Sequence, residues 1–112
     1  MTQNQDLPET MRTAGPLLRS GEMAEAIVEA LAEDNPGKDL IVADHSGYIR
    51  VEGPEGLVLR RATVELILGR PFCMQELALT MTGFSGKIET TTDYVRWYFK
   101  SPSSASKEGN LQ

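Results

Sequence analysis

The sequence predicts an α+β fold in two layers: a mostly antiparallel sheet with two helices packed on one of its faces. Several short segments alternate apolar and polar residues, and turns rich in glycine and proline separate them. Two other segments place apolar residues at helical spacing. The predicted order is β-α-β-β-β-α-β-β, and a chain of 112 residues holds these elements in one domain.

A strand and an amphipathic helix come first. Residues 15–19 predict a short strand, and Pro16 favours a strand start or a sheet edge because it lacks an N–H. Ser20 is the expected N-cap of a helix over 22–34, which Asn-Pro-Gly at 35–37 ends. The apolar stripe of this helix consists of Met23, Ile27, Ala30 and Leu31.

Three strands of one meander are predicted next. Residues 39–43 and 48–52 form the first two, joined by a turn at 44–47. A second turn at 53–56 leads to a third strand over 57–60. Because apolar and charged residues alternate in 48–52, one face of that strand is expected to be buried.

The second helix is short and is predicted to start at Thr63 as N-cap and to end at Leu68, before Gly69. After it, residues 74–76 predict a single helical turn and 77–82 alternate as a strand.

The last part of the sheet is predicted to come from the end of the folded region. Glycines at 83 and 86 break the chain, 87–89 continue as a strand, and 94–99 form the clearest strand. Val95, Trp97 and Phe99 share one face of it, and Tyr94, Arg96 and Tyr98 share the other.

The two ends of the chain differ in composition from its middle. Residues 1–14 are polar, and 101–112 are rich in serine with little to bury. We therefore expect a disordered lead-in over 1–14, a folded domain over 15–100 and a flexible tail over 101–112.

Composition excludes several classes of protein. The net charge of −5 disfavours a general nucleic-acid binder, and no apolar run is long enough to cross a membrane. The first residues lack the basic and apolar regions of a secretory signal. A single cysteine cannot form an internal disulfide, so a cytoplasmic location is expected.

Residues that could support independent chemistry are scarce. One histidine and one cysteine cannot supply a four-ligand zinc site or a diiron site, and neither a dinucleotide-binding motif nor a P-loop is present. His45 is interpreted as an exposed turn residue and Cys73 as a packed, inert thiol. These features favour a binding or regulatory domain that carries no metal or cofactor.

The helix over 22–34 carries the whole net charge, because acids and bases balance elsewhere. Four glutamates at spacings of 3, 4 and 4 line one of its faces: Glu22, Glu25, Glu29 and Glu33. This face is either simply solvated or a surface that steers a basic partner. Glu25 and Glu29 are the expected steering residues.

Three loops combine glycine or proline with side chains that make good contacts. Tight turns explain the glycines and prolines but not the charged and aromatic neighbours, and interface loops are often built in this way. The predicted partner-binding residues are Asn35, Gly37, Lys38, Arg70, Phe72, Phe84, Ser85 and Gly86. Stacking of bases on the aromatic strand 94–99 is disfavoured by the acidic charge.

Five blocks, over 15–21, 34–38, 68–72 with 74–77, 84–88 and 96–99, resemble in order and spacing the small effector protein of soluble diiron multicomponent monooxygenases. Cys73 departs from the pattern of that family. The toluene monooxygenase effector is the most similar branch, with isoprene and alkene monooxygenase effectors near it. The resemblance implies a non-catalytic, cofactor-free regulatory subunit of aromatic hydrocarbon catabolism. It would be a monomer when free, and its partner would be the diiron hydroxylase.

The resemblance further implies a system with a Rieske ferredoxin and an NADH reductase, in which docking tunes the rate, coupling and regioselectivity of the hydroxylase. It implies no contact with nucleic acid or membrane. The residues by themselves leave two other functions open: a generic α+β adaptor for an unrelated partner, and a domain that binds a small ligand.

Overall fold

The computed structural model describes residues 13–99, which form seven strands and three helices. The strands are β1 Thr13–Arg19, β2 Ile41–His45, β3 Tyr48–Pro54, β4 Gly56–Arg60, β5 Met81–Ser85, β6 Lys87–Thr90 and β7 Tyr94–Tyr98. The helices are α1 Glu22–Asp34, α2 Arg61–Leu68 and α3 Met74–Thr80. The expected α+β class is confirmed, with one more helix than the sequence predicted. None of the three helices is long and apolar enough to span a membrane.

The strands form two antiparallel sheets rather than one. One sheet has the order β2-β3-β1-β5 and the other β4-β7-β6. The expectation that β4 continues the β2–β3 meander is wrong, because Glu55 and Gly56 both take positive φ angles, 65° and 125°, at the turn between β3 and β4. β4 then pairs with β7 instead.

Pro16 lies in an interior strand, not at a sheet edge. β1 pairs with β3 on one side and with β5 on the other, where Pro16 is opposite Phe84. The ladder to β3 joins Ala14 to Gly53 and Leu17 to Arg50, on either side of the residue that lacks an N–H. The prediction of an edge position failed because neighbouring residues carry the pairing.

The core lies between α1 and the inner sheet faces. Ile27, Ala30 and Leu31 of the predicted stripe are fully buried, and Met23 packs partly against them. Opposite them lie the largest buried residues of the strands, Leu18, Val51, Leu59, Val95 and Trp97. The predicted bounds of α1 are confirmed, but its N-cap is Gly21 rather than Ser20.

The segment predicted as a strand over 77–82 is mostly helix. α3 begins after Cys73, whose carbonyl accepts the backbone N–H of Glu76 while the Glu76 carboxylate accepts the N–H of Cys73. This reciprocal pair satisfies two N–H groups at the helix start. Leu77 is buried and Leu79 is 77% exposed, which a strand with both on one face would not allow.

Several turns are shorter than predicted. Asp44 and His45 belong to β2, so only residues 46–47 form that turn, and β5 runs through Ser85 to a bend at Gly86.

α2 begins at Arg61, earlier than the start predicted from Thr63 as N-cap. It ends as predicted at Leu68, before Gly69, which has φ 73°.

The described residues touch only part of the predicted domain boundaries. Thr13 and Ala14, expected in the lead-in, belong to β1, where Ala14 is fully buried. The rest of the lead-in and the tail lie outside the described residues. Phe99 follows β7 and is exposed rather than buried with Val95 and Trp97.

Candidate docking surface

Asn35 occupies the end of α1, where its side chain joins the helix to strand β4. Its Nδ2 donates to the carbonyl oxygens of Leu31, at 2.7 Å, and of Val58, at 2.8 Å. Its Oδ1 accepts the N–H of Val58 at 3.0 Å. The amide thus pairs with both peptide groups of Val58, as a neighbouring strand would. Asn35 is buried, so its side chain is not available at the surface.

Two neighbours of Asn35 bind the same strand. Asp34 accepts the backbone N–H of Arg60 at 2.8 Å and the hydroxyl of Thr63 at 2.7 Å, which caps the start of α2 from another element. Lys38 Nζ donates to the carbonyl of Gly56 at 2.6 Å. We call Asp34, Asn35 and Lys38 the edge clamp, because together they cover the open side of β4.

The turn between α2 and α3 holds one buried and one exposed candidate. Phe72 is 3% exposed and belongs to the core. Its N–H donates to Glu65 at 2.9 Å, and this hydrogen bond is the main cause that lowers the pKa of Glu65; an ion pair with Arg61 lowers it further. Phe72 therefore fixes the turn from inside.

Arg70 is exposed in the same turn, where it pairs with Glu76 at 3.1 Å and donates to the carbonyl of Pro71 at 2.9 Å. The hydrogen bond from Arg70 is the main cause that lowers the pKa of Glu76. Cys73, expected to be packed, is exposed in this turn.

The end of β5 and the bend after it, residues 84–86, carry an exposed aromatic ring on a backbone held by hydrogen bonds. We call these residues the β5–β6 turn. Phe84 is 45% exposed. The Ser85 hydroxyl donates to Glu52 at 3.0 Å, and Glu52 also accepts from Thr13 at 2.7 Å. Gly86 has φ 86°, and a Cβ there would lie 2.5 Å from the carbonyl oxygen of Tyr98. Only glycine fits this bend.

Two of the three predicted loops meet at the end of β7. Gly56, whose carbonyl Lys38 holds, lies opposite Tyr98, and Tyr98 lies opposite Lys87 on its other side. Gly86 packs against the same Tyr98. The turn that carries Arg70 has its contacts elsewhere, with Glu65 and Glu76.

Arg96 and Tyr98 belong to this surface but were not predicted as site residues. They lie on the face of β7 opposite Val95 and Trp97, and the Arg96 guanidinium stacks over the Tyr98 ring at 4.6 Å. The alternation in 94–99 indicated which face they share. It could not indicate that Gly56 would lie opposite Tyr98, because that pairing joins residues about forty positions apart.

The acidic face of α1 is fully solvated. Glu22, Glu25, Glu29 and Glu33 are exposed, and within residues 13–99 none of them takes part in an ion pair. The described residues also contain no cluster of three or more side chains that could hold a metal ion.

Comparison with protein families gives a match over residues 12–98 to the MmoB/DmpM family. The chain belongs to this family. An alkene monooxygenase effector subunit from Xanthobacter autotrophicus is 34% identical over 86% of this chain and 93% of its own length. The phenol 2-monooxygenase stimulatory component DmpM from Pseudomonas sp. is 33% identical over 67% of this chain and 81% of its own length.

Solved structures of MmoB/DmpM relatives share the fold. A chain of the phenol hydroxylase–regulatory protein complex has a TM-score of 0.71 at 24% identity, with 79% of this chain and 99% of that chain covered. The soluble methane monooxygenase regulatory protein B has a TM-score of 0.59 at 14% identity, with 88% and 77% covered.

Membership of the MmoB/DmpM family confirms the resemblance seen in the sequence blocks. It also confirms the expected function, that of an effector subunit of a multicomponent monooxygenase, because these relatives carry the names of effector, stimulatory and regulatory components rather than catalytic subunits. The named relatives belong to alkene, phenol and methane systems.

Proposed function

We propose that this chain docks on the diiron hydroxylase of an aromatic or alkene monooxygenase and tunes its rate, coupling and regioselectivity. The observation that carries the proposal is the match to an alkene monooxygenase effector subunit over 93% of that protein's length. An effector changes its target only if it binds one conformation of that target more tightly than another. The contact must therefore fit closely, which favours rigid turns with anchor side chains.

The proposed contact surface consists of the exposed candidates only. The β5–β6 turn offers Phe84 beside Ser85 and Gly86, and the α2–α3 turn offers Arg70; aromatic and arginine side chains are the commonest anchors in interfaces. Lys38 of the edge clamp and the adjacent Gly37 are both exposed and complete the proposed surface. Asn35 and Phe72 support these loops from inside, and Glu25 and Glu29 steer encounter with a basic surface.

The other parts of the proposed system follow from the resemblance. A Rieske ferredoxin and an NADH reductase supply electrons to the hydroxylase, and the substrate is an aromatic hydrocarbon or an alkene. This chain acts as a cytoplasmic monomer that itself holds no cofactor. Its single cysteine and acidic composition agree with that location.

Reconstitution tests the proposal. The hydroxylase, ferredoxin and reductase of the same system are assayed with increasing amounts of this chain, and product is measured together with NADH consumed. We expect both the rate and the product formed per NADH to rise and then saturate. A rate and coupling that do not depend on this chain would contradict the proposal.

A further inference from the structure

The outer face of the three-stranded sheet carries charged and aromatic side chains around a small cavity. The cavity has a volume of about 160 Å³, and its lining includes Lys38, Glu55, Gly56, Val58, Arg96 and Tyr98. Gly56 lets β4 approach β7 closely beside the cavity, because a Cβ there would lie 2.2 Å from the carbonyl oxygen of Trp97. Cavities of about this size accept a group as large as benzene, so one protein side chain can enter.

The charges around the cavity favour a single negative group. Lys38 and Arg96 line it against one carboxylate, Glu55. Lys38 donates to the Gly56 carbonyl but has further N–H donors. Arg96 binds Glu89 through Nε at 3.2 Å and one terminal nitrogen at 3.0 Å. Within residues 13–99 the other terminal nitrogen has no acceptor, so it can donate to one that a partner brings.

The ion pair between Arg96 and Glu89 is easily exchanged. Both side chains lie at the surface, 48% and 44% exposed, and exposed ion pairs contribute little to stability. A carboxylate that arrives with a partner can therefore replace Glu89 at little cost. The stacking of Arg96 on Tyr98 keeps the guanidinium oriented while the exchange occurs.

We infer that this cavity receives an aspartate or glutamate side chain of the hydroxylase, with Arg96 as its principal ligand and Glu89 as an internal competitor. The inference rests on the proposed function, because it names the chemistry of one contact in that docking. Phe84, exposed on β5 of the other sheet, supplies a separate apolar contact.

Two substitutions that break the same ion pair test the inference. Arg96→Gln removes the ligand, so the effector concentration for half-maximal hydroxylase activation should rise about tenfold at low salt, as for loss of a charged hydrogen bond. Glu89→Gln removes the competitor, so that concentration should fall or stay level. Arg96→Gln should also reduce the dependence of activation on salt.

Urea unfolding of both variants, compared with the wild type, shows whether either effect arises from the fold. The inference is overturned if Arg96→Gln activates like the wild type, or if both variants lose activation equally. Failure of the wild-type chain to activate the hydroxylase at all is a separate result, and it would overturn the proposed function instead.

Discussion

The edge clamp and the β5–β6 turn looked alike in the sequence and differ in the structure. The segments 35–38 and 84–86 both combine glycine with polar or aromatic neighbours, and residues of both were predicted to bind a partner. In the clamp, Asp34 and Asn35 direct their side-chain hydrogen bonds to the protein itself, mainly to β4 and α2, and Lys38 directs one to β4 while it stays exposed. In the turn, Phe84 stays exposed while Ser85 anchors the backbone. The clamp therefore stabilises the fold around β4, whereas the β5–β6 turn holds an aromatic side chain at the surface.

The clamp also shows how the fold protects an edge strand. Unpaired peptide groups at a sheet edge invite pairing with other chains. Asn35 satisfies both groups of Val58, so the open side of β4 is closed to such pairing. Pairing of β4 with another chain would therefore not compete with a contact at the β5–β6 turn.

The largest effect should come from the clamp. Asn35→Ala leaves the carbonyl and the N–H of Val58 without their side-chain partners, while the Leu31 carbonyl keeps the backbone N–H of residue 35. We expect the free energy of unfolding to fall by about 3 kcal/mol. Urea denaturation measures it. If Asn35→Ala is as stable as the wild type but fails to activate the hydroxylase, Asn35 is a contact and the distinction between the two segments collapses.

Phe84→Ala should have the opposite profile. Apparent binding to the hydroxylase weakens by about 1–3 kcal/mol, as for loss of an interface anchor, while the free energy of unfolding changes by less than about 1 kcal/mol. Activation curves and urea denaturation measure the two. The matched control is Ile41→Ala, because Ile41 is 49% exposed on the opposite edge strand of the same sheet. Equal losses in both variants would refute a specific role for the turn.

Arg70→Ala tests the third predicted loop and should cost about tenfold in activation. It should also raise the pKa of Glu76 toward the usual carboxyl range, because the Arg70 hydrogen bond is the main cause that lowers it. The lowered pKa means that this pair stabilises the fold above the ordinary carboxyl pKa, and that the contribution is lost as the pH falls through the lowered value.

NMR titration of the Glu76 carboxyl follows that pKa, and Arg19→Ala is the control at another exposed arginine. A pKa of Glu76 that does not move in Arg70→Ala would show that the ion pair is absent in solution.

Glu25→Gln combined with Glu29→Gln should have the smallest effect. Association with the hydroxylase slows by about two- to threefold at low salt and is unchanged at high salt, because exposed charges act over long range and are screened. Stopped-flow mixing measures the rate. Asp39→Asn combined with Asp44→Asn, two exposed acids outside α1, is the control for the same change of net charge. A loss that persists at high salt would mean that these glutamates make close contacts.

Local patterns in the sequence determined much of this protein. The periodic stripe and the Asn-Pro-Gly stop predicted the bounds of α1, and alternation predicted the two faces of β7. Both signals depend on neighbours within a few residues, which the chain itself specifies. The alternation at 77–82 misled because α3 buries Leu77 and exposes Leu79, and a short segment fits either period.

Only the tertiary structure decided which candidates face outward. Asn35 is joined to Val58 across 23 residues, Ser85 to Glu52 across 33, and Gly56 faces Tyr98 from another part of the chain. The residue types indicate which side chains can form such bonds. Their partners depend on the point at which the chain passes from one sheet to the other. The sequence signal of an amide, a lysine or a glycine is therefore the same whether the residue closes a sheet edge, faces solvent or permits close packing of two strands.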